Sequence, residues 1–94
     1  MLLSSPEINV KLNKLSGWKL NNQSIEKEYI LKDFKLVLAF VNKVGDTANS
    51  LDHHPDIFIH SWNKVKFTIS THSEGGLTDK DFNLAEKIEH LSQQ

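Results

Sequence analysis

Apolar and polar positions recur along this chain with two different periods, and each change of period marks an element boundary. Ile8, Leu12 and Leu15 fall at helical spacing behind Ser5-Pro6-Glu7, which offers an N-cap oxygen, a proline at N1 and a carboxylate in the first turn. The spacing predicts a helix over 6–15, which Gly17 can end by taking the left-handed C′ conformation. From Trp18 the pattern changes. Trp18-Lys19-Leu20 and Ile25 to Leu31 flank the polar cluster Asn21-Asn22-Gln23-Ser24, which predicts an antiparallel hairpin.

Asp33 is placed to cap a second helix, in which Val37, Val41, Val44, Ala48 and Leu51 form one apolar stripe. Gly45 lies inside it and costs about 1 kcal/mol relative to alanine, so it marks the weak point of that helix. Pro55 is expected to end the helix, because proline lacks a donor and disfavours the α region at His54. Ile57 to Trp62 and Val65 to Thr71 then read as a second hairpin around Asn63. Val65, Phe67, Ile69 and Thr71 share one face, and Lys66, Thr68, Ser70 and His72 have the opposite parity. After Gly75-Gly76, Thr78 and Asp81 resemble a capping box, with Leu77 and Phe82 at the positions of a hydrophobic staple. Phe82, Ala85, Ile88 and Leu91 form the apolar face of a third helix. The expected fold is α+β in the order α-β-β-α-β-β-α, with a four-stranded antiparallel sheet, helices on one face, and residues 1–94 as one domain.

Composition narrows the function classes. Eleven Lys and Arg against twelve Asp and Glu leave a formal charge of −1, so no basic field points to nucleic acid or to an anionic membrane. No membrane span or secretory leader is evident, and the absence of cysteine removes disulfides and thiolate chemistry. A cytoplasmic protein is the expectation.

Five histidines are the remaining groups that titrate near neutral pH, and three of them stand beside structural breaks. His53 and His54 meet the end of the second helix, where two readings stand: a solvated turn whose cations complement the helix dipole, or a pair turned into a cleft by the break. His72 ends a strand beside a glycine loop, as a polar-face surface residue or as a functional group held by the scaffold. Asp81 has a structural role in the capping box and a second one open to it, charge support of an imidazole. Trp62 is most simply core, or an aromatic stacked on a planar ligand. His60 and His90 read as structural. A metal site from His53, His54, His72 and Asp81 is a rival, but no His-x-x-x-His spacing supports it, and no metal is expected.

The run from Asn49 to Asp81 resembles the pterin-4a-carbinolamine dehydratase family. The likeness lies in His53-His54-Pro55, the aromatic Trp62, Ser70-Thr71-His72, Gly76-Leu77 and Asp81, in the family's order and close to its spacing. The resemblance implies dehydration of 4a-hydroxytetrahydropterin to quinonoid dihydropterin, without metal or organic cofactor, in the service of an aromatic amino acid hydroxylase. It implies acid–base roles for His53 and His72, substrate binding and polarisation by His54, and support of a catalytic histidine by Asp81. Pro55, Thr71, His72, Ser73 and Glu74 would line the pterin pocket, with Trp62 as its aromatic, in a homodimer or homotetramer. Many members carry a charged residue, often Glu, four positions before the first histidine, where this chain has Asn49. One extra residue also separates Pro55 from the aromatic relative to some members. A second class of function follows from the same likeness, an oligomeric binding or regulatory module resembling the transcription cofactors among animal relatives.

Overall fold

Ser4, not Ser5, caps the first helix, α1 (Ser5–Leu12), in a full capping box: its hydroxyl accepts from the Glu7 amide and its own amide donates to the Glu7 carboxylate. The computed structural model describes residues 1–94. α1 stops short of Leu15 because the chain tightens there, with the Lys14 and Leu15 amides bonding back three residues to Lys11 and Leu12. Leu15 is still buried, and Gly17 at φ +83° turns the chain towards the sheet.

The rest follows the expected order. β1 (Lys19–Asn21) and β2 (Ser24–Ile30) form the first hairpin, α2 (Phe34–Leu51) follows, and β3 (Asp56–His60) and β4 (Lys64–Ile69) form the second. A short 3-10 turn (His72–Glu74) leads to α3 (Asp79–Ser92). The sheet is antiparallel throughout, in the order β1-β2-β4-β3. Its inner face carries Ile25, Tyr29, Val65, Phe67 and Ile69, which pack with Val37, Phe40, Val44 and Ala48 of α2 and Phe82, Leu84, Ala85 and Ile88 of α3. Phe40 meets Tyr29 and Phe67 edge-on, with centroids 5.2 and 5.5 Å apart, linking α2 to two strands. Burial of each such side chain is worth about 1.5–3 kcal/mol. No helix is long and apolar enough to cross a membrane.

Two further expectations differ from the structure. Asp52, three residues before Pro55, ends α2: it takes the left-handed conformation at φ 51°, and the His53 amide reaches back to the Ala48 carbonyl (3.1 Å) while the Asp52 amide reaches Asn49 (3.2 Å). This is a Schellman motif with aspartate where glycine is usual, and proline is not needed to stop the helix. Trp62 is not core but 63% exposed, because Ser61 and Trp62 both take positive φ (52° and 56°) in the β3–β4 turn and carry the indole away from the inner face. Asn63 holds that turn instead, exchanging two hydrogen bonds with the Leu31 backbone.

Candidate active site

Antiparallel register brings the histidines together. Asp56 at the start of β3 pairs with Thr68 near the end of β4, so the chain entering β3 lies beside the chain leaving β4. His53 and His54 are therefore neighbours of Ser70, Thr71 and His72, and the start of α3 closes the third side. An open pocket of about 270 Å³ results, lined by Asp52, His53, His54, Ser70, Thr71, His72, Ser73 and Lys80.

The two adjacent histidines leave the Schellman turn in different directions. His53 turns inwards and its Nε2 lies 2.6 Å from Oδ1 of Asp81, a residue with 0% exposure. The other carboxylate oxygen, Oδ2, accepts from the Thr78 amide and from the Thr71 hydroxyl, each at 2.8 Å. Asp81 thus closes the α3 capping box, as expected, and also faces His53. The capping box fixes the carboxylate on a helix start that is itself buried through Leu77 and Phe82. His54 turns back along α2, where its Nε2 lies 3.0 Å from Asn49 Oδ1. Asn49 is thus in direct contact with the pair it precedes, and it offers an uncharged amide oxygen there.

His72 opens the 3-10 turn. The Glu74 and Gly75 amides bond back to Thr71 and His72, and Gly75 takes φ 72° so that Gly76 can return to pair with Thr71. That closed loop holds His72 exposed at the pocket.

Of the residues singled out in the sequence, His53, His54, Thr71, His72 and Ser73 line the pocket, and Asp81 lies behind it. Pro55 adjoins the lining without forming part of it, and Glu74 is turned to an ion pair with the Met1 amino group at 2.8 Å. Trp62 sits at the far end of the hairpin, five strand residues or about 17 Å away, and does not reach the pocket of its own chain. His60 stacks on Phe58 and bonds Glu28 (2.5 Å) on the outer face of the sheet, and His90 is exposed on α3. Asp52, Ser70 and Lys80 are not among the expected site residues, and they place a carboxylate, a hydroxyl and an ammonium at the rim. Ser70 shares strand parity with His72 and belongs to the Ser70-Thr71-His72 motif, and Lys80 lies inside the capping box.

A titratable histidine backed by a buried carboxylate, with two further imidazoles at the same opening, suits proton transfer at a bound organic substrate. Both oxygens of Asp81 are already engaged by hydrogen-bond donors, which sets them apart from free metal ligands.

Comparison with known proteins gives the family of the chain. A family model described as pterin 4 alpha carbinolamine dehydratase matches residues 1–91. A Sulfurisphaera tokodaii protein is 46% identical over 89 residues, covering 95% of each chain, and one from Nostoc sp. is 48% identical over 91 residues, covering 97% of each; both carry the provisional name pterin-4-alpha-carbinolamine dehydratase. A crystal structure from Brucella melitensis, described as a transcriptional coactivator/pterin dehydratase, superposes with a TM-score of 0.92 at 33% identity over 97% of this chain and 98% of that one. A pterin dehydratase-like protein described as a RuBisCO assembly factor shares the fold alone, at 13% identity and a TM-score of 0.64 over 79% of this chain and 84% of that one. From its first residues to the last turns of α3, the chain belongs to the pterin-4a-carbinolamine dehydratase family.

Proposed function

We propose that the protein dehydrates 4a-hydroxytetrahydropterin to quinonoid dihydropterin by histidine acid–base catalysis, without a metal, and so returns the cofactor of an aromatic amino acid hydroxylase to use. The observation that carries this reading is the convergence of His53, backed by Asp81, with His54 and His72 at one pocket. Loss of water from the carbinolamine requires a proton delivered to the 4a-hydroxyl and another taken from a ring nitrogen. His53 suits the base: a buried carboxylate orients the ring and stabilises the imidazolium that forms. His72, exposed at the opening, is the acid for the leaving hydroxyl, and His54, held by Asn49, binds and polarises the pterin. Lys80 and Asp52 supply a donor and an acceptor for the polar edge of a pterin at the rim.

The test follows dehydration of carbinolamine generated in place by a hydroxylase, against the spontaneous rate and after dialysis with a chelator. Wild-type acceleration that survives the chelator, with losses of about 10²- to 10⁴-fold in His53→Ala and His72→Ala, supports the reading. Full activity in both variants, or a loss restored by zinc, overturns it.

A second reading is an oligomeric binding or regulatory module. β3 is an edge strand, and its Ile57 and Phe58 are exposed, a surface suited to pairing with a second copy as a homodimer or as part of a homotetramer. No acceleration of dehydration, together with stoichiometric binding of a protein partner, would favour it.

A further inference from the structure

We infer that Thr71 and Thr78 form a hydroxyl relay that positions Asp81 and thereby makes Nδ1 the working nitrogen of His53. The inference rests on the reading of His53 as an acid–base group, and it adds two positioning residues and the ring atom that does the work. Thr71, Thr78 and Asp81 are 4%, 4% and 0% exposed, so their hydrogen bonds are made within the protein. The ionised Asp81 is acceptor-only, so the single hydroxyl proton of Thr71 is committed to Oδ2 at 2.8 Å. The 2.8 Å contact between the two threonine hydroxyls must then run from Thr78 to Thr71. Thr78 Oγ1 accepts in turn from the Lys80 amide at 3.2 Å. The order of donors is fixed from the first turn of α3 through both hydroxyls to the carboxylate. In a low-dielectric site each such bond polarises the next.

A capping box alone does not require Thr71. That residue lies two positions past the end of β4, is paired to Gly76, and directly precedes His72. Its bond to Asp81 therefore ties the segment carrying one histidine to the carboxylate that orients another. With Oδ2 occupied by Thr71 and the Thr78 amide, Oδ1 is the oxygen presented to His53, and it engages Nε2. Nε2 carries the proton of the neutral ring, and Nδ1 is the nitrogen left to take a proton from the substrate.

The experiment records the tautomer of His53 in the free protein by long-range ¹H–¹⁵N NMR, alongside kcat and KM for dehydration, in wild type, Thr71→Val and Thr71→Ser. The expected wild-type ring is the Nε2–H tautomer. Thr71→Val is expected to give a mixture of tautomers and a fall in kcat of about 10- to 100-fold with KM held within about threefold, as for a misaligned reacting group. Thr71→Ser, which keeps the hydroxyl, is expected to restore both. A wild-type Nδ1–H ring overturns the inference whether or not any variant folds, and so does Thr71→Val with the wild-type tautomer and kcat. An inactive wild-type protein with the Nε2–H ring would remove the proposed reaction and leave the relay standing.

Discussion

His53 and Asp81, 28 positions apart in sequence, meet at 2.6 Å because a helix end and a helix start are brought to the same edge of the sheet. The carboxylate holds three donors at once, and this number decides what its replacement does. Asp81→Asn keeps the size but offers an NH₂ group towards one of those donors. With its NH₂ facing Nε2, the amide is satisfied only by the opposite, Nδ1–H tautomer of His53; facing Thr71 and the Thr78 amide instead, it leaves a buried donor unpaired, at a cost of about 1–3 kcal/mol in stability. The imidazolium of His53 also loses its counter-charge. A fall of about 10²- to 10⁴-fold in kcat is expected in a protein that still folds, read from steady-state dehydration and a urea titration together. Wild-type kcat in a folded Asp81→Asn protein would separate the carboxylate from catalysis.

Gly45 sits in the middle of α2 with a backbone that needs no positive φ, and a Cβ built there meets nothing within 4 Å. The helix is continuous through it, so the cost of glycine is conformational rather than a break. Gly45→Ala should raise stability by about 0.5–1 kcal/mol, seen as a higher urea midpoint at an unchanged slope. Neutral or lower stability would mean that another molecule, such as a second copy, approaches α2 at that position.

Local devices were legible in the sequence because they are short and chemically redundant. Thr78-x-x-Asp81 with Leu77 and Phe82 announces a helix start in six residues, and the structure contains it. Asp33 announces another. The end of α2 was not legible in the same way, since an aspartate that will take φ 51° looks like any polar residue, and Pro55 offered a stronger signal three positions later. Trp62 departs from its expected place for a related reason. An aromatic beside a strand reads as core unless the turn geometry is known, and positive φ at Ser61 and Trp62 is set by the hairpin as a whole. The histidine pocket depends on strand register, which fixes that Asp56 faces Thr68. No local pattern encodes that pairing, so the residues alone left the convergence of His53, His72 and Asp81 open, and the resemblance to a family is what favoured it.

Glu89 provides the last prediction, far from the pocket. Its Oε1 accepts from Trp18 Nε1 at 3.2 Å and from the Lys27 ammonium and the Tyr29 hydroxyl, joining α3 to β2 and to the segment before β1. Burial alone would raise the carboxyl above its ordinary 4.5, but the hydrogen bonds from Lys27 and Tyr29 and the Lys27 charge outweigh it, and the group is held below that value. Burial and the bond to Glu89 push the Tyr29 hydroxyl far upwards, so it remains a donor at all ordinary pH. A carboxyl with a lowered folded-state pKa stabilises the native state fully above the unfolded value, and that contribution is lost as pH falls through the folded one. Glu89→Gln should therefore cost about 1.5–3 kcal/mol near neutral pH, in the range of hydrogen bonds to a charged group. The gap to wild type should narrow as pH drops below about 4.5, where the unfolded-state carboxyl takes up its proton, and close as pH passes the lower folded-state value. Urea titrations of the two proteins from pH 7 to pH 3 measure it, and a gap that stays constant over that range would show that the charge of Glu89 contributes nothing to the fold.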